Sequence, residues 1–284
     1  TLKGWTFKGW YKTQVSPNPT VTAPYKAGSA ISAADTVSMF QNATNGVYTI
    51  YAGWEANKIT VKFDGNYATS GSMNPQTFVY DTAQNLNANQ FGRSYTVTYN
   101  GNGGTSEKAS ESKSFDFAGW RDATGSYNYA DKASVKNPNG STGGETTLYA
   151  KWTNGSITLP GATRAGYDFN GWYTAATGGT LVGTKGSSYT AADGVKSVQL
   201  YAHWTARTDT VYKVNVYIMD TKGAYPSSAR VFSYKGTTDT TATIKADTYF
   251  PDTSGQFSRD DSKTNKLSGN IAGDGSLVLT VYIK

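Results

Sequence analysis

The sequence of 284 residues contains no cysteine and one histidine, and both shortages restrict its chemistry. Without cysteine the chain can form no disulfide, no thiolate metal site and no cysteine nucleophile. Any mechanism that needs a histidine base or a Ser-His-Asp group would have to use His203. We therefore expect that the protein is not an enzyme, and we predict no catalytic, cofactor-binding or metal-binding residue and no cofactor.

Charge and long apolar runs are also scarce. Only 16% of the residues are charged, and 26 basic against 20 acidic residues give a formal net charge of +6. No apolar run approaches the roughly 20 residues of a membrane helix, so we expect no membrane insertion. No basic cluster alternates with aromatic residues, so we expect no nucleic-acid partner. The sequence shows no signal peptide and begins inside a repeated motif, and we expect a fragment of a longer protein.

Aromatic residues and glycines are abundant, and they form two motifs that recur. Aromatic residues make up 14% of the chain, and there are 31 glycines. The opening motif reads aromatic, any, Phe, any, Gly, Trp, and the closing motif reads Ile or Leu, Tyr, Ala, any, Trp. The opening motifs are Trp5–Trp10, Phe115–Trp120 and Tyr167–Trp172, and the closing motifs are Ile50–Trp54, Leu148–Trp152 and Leu200–Trp204. Recurrence of this kind predicts an array of small modules, here called the first, second and third repeats.

Alternating side chains predict that both motifs are strands. Leu148, Ala150 and Trp152 fall on one face of an extended chain, which indicates a strand with one buried face. In the opening motif, Gly9 interrupts the alternation and predicts either a bulge or a ring laid across its backbone. We interpret the motif tryptophans as core residues, because small modules with few aliphatic side chains need their large apolar area.

Two alternating segments, Ile59–Tyr80 and Tyr95–Thr105, lie between the first closing motif and the second opening motif. Each contains an alternating strand pattern followed by Gly and Asn residues that favour a turn, and we name them the lead-in segments. Both are assigned to the second repeat, which makes it the only complete one. The insertion Ser16–Pro24 in the first repeat contains three prolines and is predicted to be an exposed loop.

The motif positions predict four domains. Residues 1–56 form an incomplete N-terminal module, 57–153 a complete module, 154–206 a short module and 207–284 a separate β domain, here called the tail. The tail begins with YKVNVYIMD and ends with GSLVLTVYI, and its first and last strands are expected to pair. The junctions Glu55–Lys58 and Thr205–Thr210 are short and polar, so limited bending is expected there.

The remaining polar candidates are weak. His203 occupies the motif position of Gly53 and Lys151, so we expect it to face solvent. Asn100–Thr105 has the glycines of a phosphate loop without its Lys-Ser/Thr pair, and is interpreted as a turn. Calcium binding by a few acidic residues is the alternative to the prediction of no metal site, but these residues lack the alternating spacing of a dedicated loop. These residues are Asp64, Asp252, Asp260 and Asp274, and the adjacent Asp260 and Asp261 are expected to point apart.

Two further hypotheses concern the surface and the covalent structure. Lys213, in the first strand of the tail, is the natural candidate for an amide crosslink, but the last strand offers no Asn or Asp, so we predict none. Tyr127, Tyr129 and Tyr225 lie outside the motifs and are candidates for a surface contact, although the ligand-binding residues as such are unknown. Single exposed tyrosines are common and do not by themselves identify a site.

Several segments together resemble a known family. FDGNYATSGSMNPQTFVYDTAQNL, YTVTYNGNGGT, FAGW, ASVKN and TLYAKW are similar to the Listeria-Bacteroides repeat, or internalin B-repeat, of bacterial surface proteins. The resemblance covers residues 1 to about 205. The tail resembles the mucin-binding-type β-grasp domains that occur beside such repeats. This family offers no catalytic residues to carry over to the chain.

The resemblance implies a mainly β fold of tandem β-grasp-like modules in an elongated array. It implies an extracellular location on a Gram-positive bacterium, either wall-associated or secreted. The expected function is that of a monomeric, non-catalytic repeat region of a cell-surface adhesin, acting as a stalk or spacer and in adhesion to a host-cell surface protein, mucin or glycan. The alternative is an array of carbohydrate-binding modules with exposed aromatic platforms, which solvent access to Trp10, Trp120 and Trp172 would distinguish.

Overall fold

The computed structural model describes residues 1–244 and 257–284. Strands account for 45% of the residues and helix for 4%, so the prediction of a mainly β fold is confirmed. The chain divides into two compact units. Unit 1 comprises Thr1–Ser94 and Ser114–Gly155, and unit 2 comprises Tyr95–Lys113 and Ser156–Lys284.

The elements follow in chain order. The first are β1 (Trp5–Tyr11), α1 (Ala33–Gln41), β2 (Tyr51–Ala56), β3 (Lys58–Asp64), β4 (Gln76–Val79), β5 (Gln84–Asn85), β6 (Ser94–Asn100), β7 (Thr105–Ser106) and β8 (Ser110–Ser114). The next are β9 (Asp116–Arg121), β10 (Asn128–Tyr129), β11 (Ser134–Val135), a 3-10 helix (Pro138–Gly140), β12 (Gly144–Thr153), β13 (Ile157–Thr158) and β14 (Ala162–Thr163). The last are β15 (Tyr167–Tyr173), β16 (Leu181–Gly183), β17 (Ser188–Tyr189), β18 (Ser197–Ala206), β19 (Thr210–Ile218), β20 (Arg230–Gly236), β21 (Thr241–Thr243), β22 (Ser268–Asn270) and β23 (Val278–Ile283).

The first repeat forms a two-stranded antiparallel sheet, in which β1 carries the opening motif and β2 most of the closing motif. The helix α1 lies between them in sequence. Its N-cap is Ser32, whose side chain accepts a hydrogen bond from the Asp35 amide at 3.1 Å. No residue of α1 is buried, so the helix covers little of the sheet.

The second repeat forms a five-stranded sheet in the order β10-β9-β12-β3-β4. The closing strand β12 lies between the opening strand β9, which is antiparallel to it, and the lead-in strand β3, which is parallel to it. Its core combines aliphatic and aromatic side chains. The buried members are Ile59, Val61, Phe78, Leu86, Trp120, Val135, Leu148 and Ala150.

The third repeat has the same arrangement, in the order β16-β15-β18-β6-β8. Its closing strand β18 pairs antiparallel with β15 and parallel with β6. Both lead-in segments are predicted from the sequence to belong to the second repeat, but the structure pairs the second segment, as β6, with the closing strand of the third repeat. The two segments share one alternation, which places the same faces inward in either sheet. The second repeat is therefore not the only complete one, while the four module boundaries stay a prediction.

The tail contains a three-stranded sheet in the order β20-β19-β23 and the pair β21-β22. The strands β19 and β23 are parallel neighbours, which confirms that the first and last strands of the tail pair. Their inward side chains form one core. Its buried members are Val214, Val216, Ala242, Ile244, Ile271, Leu277, Leu279, Val281 and Ile283.

All three opening motifs contain a β-bulge at the glycine. The strand register shifts beside Gly9 and Gly171 in β1 and β15, and between Ala150 and Trp152 opposite Gly119. The three glycines have φ of +137°, +129° and +109°, values that L side chains rarely adopt. A Cβ on Gly119 would lie 2.4 Å from a backbone carbonyl oxygen of the neighbouring strand. The predicted bulge is therefore correct, and the predicted ring across the glycine backbone is not found at Gly119, where a neighbouring backbone carbonyl leaves no room for a side chain.

Candidate functional site

The tryptophan of the opening motif is completely buried in two repeats. Trp120 is 0% exposed, and its ring lies 4.9 Å from the rings of both Phe63 and Phe117. Trp172 is also 0% exposed, and lies 4.9 Å from Tyr99 and 5.4 Å from Phe169. In each case one ring comes from the opening motif and one from the lead-in strand. The prediction that the motif tryptophans are core residues is confirmed for these two.

The tryptophan of the closing motif holds the turn after the lead-in strand. The Trp152 indole N–H donates to the carbonyl oxygens of Gly65 and Asn66, both at 3.0 Å. The Asn66 side-chain amide in turn donates to the carbonyl of Ala150 at 2.9 Å. These three bonds tie the turn to the closing strand and satisfy polar groups that the core would otherwise leave unpaired.

The third repeat contains the same three hydrogen bonds between the turn and the closing strand. The Trp204 indole donates to the carbonyls of Gly101 and Asn102 at 3.0 and 3.1 Å, and the Asn102 amide donates to Ala202 at 3.0 Å. The segment Asn100–Thr105 is therefore a turn, as predicted, and its polar groups are used within the repeat. The hydrogen bonds between this turn and the closing strand were not predicted from the sequence. The recurrence of Gly-Asn after both lead-in strands is the sequence signal that points to them.

His203 lies on the strand face opposite the closing tryptophan, but it is half-buried. Its ring stacks on Tyr173 with a centroid separation of 3.8 Å, and its Nε2 lies 2.9 Å from the carbonyl oxygen of Ala175. The expectation that it simply faces solvent is therefore too strong. These contacts give the imidazole a packing role within the third repeat.

The acidic candidates for calcium do not converge. Asp64 accepts a hydrogen bond from the Asn66 amide at 2.7 Å, and Asp274 accepts one from the Ser276 amide at 2.9 Å. The Ser276 hydroxyl and amide hold the pKa of Asp274 below its ordinary value. Asp252 lies outside the described residues. Within residues 1–244 and 257–284, no group of three or more His, Cys, Asp or Glu side chains is placed to hold a metal ion.

Asp260 is the most unusual acidic residue of the tail, since it is only 2% exposed. Its carboxylate accepts hydrogen bonds from the Ser262 hydroxyl at 2.7 Å and the Tyr225 hydroxyl at 2.8 Å, and the Lys284 amine lies 3.4 Å away. The Ser262 and Tyr225 hydroxyls hold the pKa of Asp260 far below its ordinary value. Burial, together with the bond to Asp260, raises the pKa of Tyr225 to about 12. The adjacent Asp261 is exposed and pairs with Arg259, so the two carboxylates do point apart.

The three tyrosines proposed for a surface contact have different environments. Tyr225 packs edge-on against Tyr282 at 5.1 Å and belongs to the Asp260 cluster. Tyr127 and Tyr129 are nearly parallel at 6.4 Å, and the Tyr129 hydroxyl accepts a bond from the Asn139 amide. Of the three, Tyr127 alone is among the exposed large side chains.

The crosslink candidate Lys213 is exposed on β19. Its cross-strand partners are Ser233 on β20 and Val278 on β23, and neither side chain can form an amide with it.

Two junctions are built in the same way, one in each unit. The Asn57 amide donates to the Gly4 carbonyl at 3.0 Å, and the Arg207 amide donates to the Gly166 carbonyl at 2.9 Å. Gly4 and Gly166 both stand directly before an opening motif. A Cβ on Gly4 would strike the ring of Tyr80, and one on Gly166 would lie 2.4 Å from the Cα of Gly273. Glycine therefore lets the opening strand approach the following sheet closely.

Each junction also borders an open, mostly polar cleft. The cleft in unit 1 has a volume of about 570 Å³ and the cleft in unit 2 about 360 Å³. The first is lined by Thr6, Glu55, Ala56, Asn57, Lys58, Thr142, Gly143 and Gly144. That lining has no aromatic side chain on which a sugar could stack.

In a comparison with known families, residues 153–203 match the Listeria-Bacteroides repeat domain. The matched segment is the third repeat, from the end of β12 to the residue before Trp204. A comparison with curated proteins found no match. In the part of the chain that the structure describes, no helix is long and apolar enough to cross a membrane.

Proposed function

We propose that the chain is a non-catalytic, load-bearing spacer in a surface protein of a Gram-positive bacterium, built from β-grasp-like modules and working as a monomer outside the cell. The family match over the third repeat supports a surface role. The observation that carries the mechanical part is the parallel pairing of a first strand with a last strand. These pairs are β3 with β12, β6 with β18 and β19 with β23.

Parallel end strands resist tension because the load acts along the ladder. In the tail, a force on the start of β19 and the end of β23 pulls the two strands in opposite directions along their axes. The pairing runs from Lys213 opposite Val278 to Ile218 opposite Ile283, so its hydrogen bonds share the load together. Rupture then requires several bonds, each worth about 0.5–1.5 kcal/mol net, to break nearly at once.

Single-molecule stretching of the full chain tests this proposal, and the absence of cysteine makes introduced cysteines unique attachment points. Attachment through Thr208→Cys and Lys284→Cys loads the β19–β23 ladder lengthwise. Attachment through Thr208→Cys and Lys235→Cys instead separates β19 from β20 at the end where Val211 faces the exposed Lys235, so their bonds open one by one. We expect a clearly higher rupture force for the first pair, and equal forces would contradict a load-bearing design.

Adhesion is the second part of the proposal, with the tail as a mucin-binding-like domain and a host-cell protein, mucin or glycan as partner. The supporting feature is the resemblance of the repeats to surface proteins, together with a net charge of +6 that favours acidic polymers. Binding of the labelled chain to host cells, mucins and glycans at low and high salt tests it. Saturable binding that survives high salt is expected of an adhesive segment. Binding that salt abolishes would leave a spacer alone.

The alternative of carbohydrate binding by exposed aromatic platforms is favoured by one feature, the stacked and partly exposed Tyr127 and Tyr129. Trp120 and Trp172 are fully buried and cannot serve as platforms. Glycan titration of the full chain and of a Tyr127→Ala variant tests this function. Loss of glycan binding in the variant, with unchanged acrylamide quenching of the tryptophans, would support it. Equal binding by both proteins would refute it.

A further inference from the structure

The chain passes three times between the two compact units. It leaves unit 1 after Ser94, returns to it at Ser114 and leaves it again after Gly155. The segment Tyr95–Lys113, here called the inserted segment, belongs to unit 2 although both of its neighbours along the chain belong to unit 1. The second repeat is therefore split around β6, β7 and β8, and the third repeat is split around the strands from β9 to β12. Strands of the two repeats thus alternate along the chain.

The inserted segment supplies core residues of the third repeat. Tyr95, Val97 and Tyr99 alternate along β6 and are 1%, 0% and 5% exposed. The ring of Tyr99 lies 4.9 Å from that of Trp172, and the Tyr95 hydroxyl donates to the Tyr189 carbonyl at 3.1 Å. Because β6 is also the parallel neighbour of β18, removing the segment would uncover one side of the closing strand and a large apolar area.

Polar contacts fix the rest of the inserted segment to the third repeat. The Glu107 carboxylate accepts a hydrogen bond from the Gly161 amide at 2.8 Å and pairs with Lys185. The Glu107 amide donates to the Gly161 carbonyl at 2.9 Å, and β7 pairs with β14. The Trp204 indole adds its two bonds to the lead-in turn. The third repeat therefore cannot complete its sheet or its core without the inserted segment.

The residues that flank the inserted segment are held close together in unit 1. The Phe115 amide donates to the Arg93 carbonyl at 2.8 Å, and the Arg93 guanidinium lies 4.3 Å from the centre of the Phe115 ring. The Ser94 amide donates to the Thr69 hydroxyl oxygen at 3.0 Å. Phe115 is also the single residue between β8 and β9. The chain therefore has almost no slack where it leaves and re-enters unit 1.

The third passage leaves unit 1 beside the same ring. Gly155, the last residue of unit 1, is buried, and a Cβ on it would overlap the ring of Phe115. Phe115 begins the opening motif of the second repeat, at the position of Trp5 and Tyr167 in the other two. The residues of unit 1 at which the chain departs and returns are therefore gathered around one aromatic side chain of the second repeat.

From this path of the chain we propose that the second and third repeats fold and unfold as one cooperative pair, coupled by the inserted segment. If the third repeat opens while the second stays folded, the segment becomes a flexible loop whose ends must still meet beside Phe115. The cost of closing a loop grows as (3/2)RT ln n, which for roughly 20 residues is a factor on the order of 100 in the folding equilibrium. The coupling is reciprocal, so opening of the second repeat weakens the third by the same factor.

This coupling does not depend on the proposed spacer function, because it follows from the order of the strands along the chain. One consequence does rest on that function. Under tension, the two repeats would open in a single event instead of one after the other.

Hydrogen exchange of two matched variants of the full chain tests the coupling. Val61 on β3 and Val97 on β6 are both 0% exposed and occupy the same position in their lead-in strands. Val97→Ala should accelerate exchange of the β15 and β18 amides at least about tenfold, because it removes buried methyl groups from the third repeat. We expect the β9 and β12 amides of the second repeat to accelerate by a similar factor, and Val61→Ala to accelerate both sets in turn. Acceleration confined to the repeat that carries the substitution would overturn the proposal.

A linker insertion distinguishes coupling through the inserted segment from coupling through the last passage alone. About six Gly and Ser residues placed between the exposed Thr153 and Asn154 add slack to that passage and leave the inserted segment unchanged. We expect Val97→Ala in this background to accelerate the β9 and β12 amides as before. Loss of that effect would mean that the repeats are coupled only through the connection between β12 and β13, and would contradict a role for the inserted segment.

Discussion

The first and third repeats contain the same two motifs, but different numbers of aromatic rings pack against their opening tryptophans. In both, the Phe of the opening motif lies against its tryptophan, at 5.3 Å for Phe7 and Trp10 and 5.4 Å for Phe169 and Trp172. The third repeat adds the ring of Tyr99 from β6. The difference shows that the motifs build half of the aromatic core, and that the lead-in strand closes it.

The first and third repeats also differ in how their backbone polar groups are paired. In the third repeat the Ala202 carbonyl accepts a hydrogen bond from the Asn102 side-chain amide, whereas among the described residues no side-chain amide bonds to the matching carbonyl of Ala52. Pairing such groups gains modest stability, but leaving them buried and unpaired is costly. The lead-in strand therefore supplies both the last ring and the hydrogen bonds that allow the core to close.

Truncating the opening tryptophans should give the largest difference between these repeats. We expect Trp172→Ala to destabilise the third repeat by about 3–5 kcal/mol, since it leaves a cavity under Tyr99 and Phe169. Trp10→Ala, at a ring already 37% exposed, should cost about 1–2 kcal/mol in the first repeat. Hydrogen exchange of the β15 and β1 amides measures each repeat separately. Equal losses would show that the lead-in ring adds little.

The bulge glycine is a feature that the repeats share, and it should be needed in all of them. Gly171→Ala should destabilise the third repeat by about 2–4 kcal/mol, because φ is +129° and the new Cβ would lie 2.8 Å from the Gly183 carbonyl oxygen. Gly178→Ala is the control, with φ of +67° and nothing within 4 Å of the Cβ, and should cost about 1 kcal/mol. Equal effects in thermal melts would contradict a role for the close approach.

The tail has parallel end strands like the second and third repeats, but it also has a buried carboxylate, that of Asp260. Asp260 has a folded-state pKa below that of the unfolded chain, so its stabilising effect is present above the unfolded value of about 3.9 and is lost as pH falls. We expect the tail to unfold in acid before the repeats. Asp260→Asn should lower the stability of the tail at neutral pH, because it removes the charged acceptor of the Ser262 and Tyr225 hydroxyls, and should weaken the loss of stability in acid. Hydrogen exchange of the β23 amides measures the stability of the tail as a function of pH. The same pH dependence in Asp260→Asn and in the unchanged chain would contradict this role of Asp260.

Much of this architecture can be read from the sequence, because its signals are local. The alternation of Leu148, Ala150 and Trp152 predicts a half-buried strand, and the glycine that interrupts the alternation of the opening motif predicts either a bulge or a ring packed on its backbone. Partner choice cannot be read in this way. Ile59–Asn66 and Tyr95–Asn102 have the same alternation and the same turn, so either could complete either sheet, and tertiary packing decides.

The Asp260 cluster is hidden from the sequence for a similar reason. Adjacent aspartates in a Ser- and Asp-rich stretch are typical of a loop. The burial of Asp260 depends on Tyr225, which is 35 residues away. Only the folded chain brings the hydroxyl and the carboxylate together.

Substitutions of Asn102 separate the contribution of the turn's hydrogen bonds from that of its backbone conformation, and we expect their effects to be small. Asn102 has φ of +46°, which glycine adopts without strain, so Asn102→Gly removes the amide that bonds to Ala202 and Ala176 and preserves the turn. We expect a loss of about 1 kcal/mol and faster exchange of the Trp204 indole proton. Asn102→Ala should cost more, because it adds the strain of a positive φ. If glycine is neutral and alanine is not, the turn contributes to stability through its shape alone.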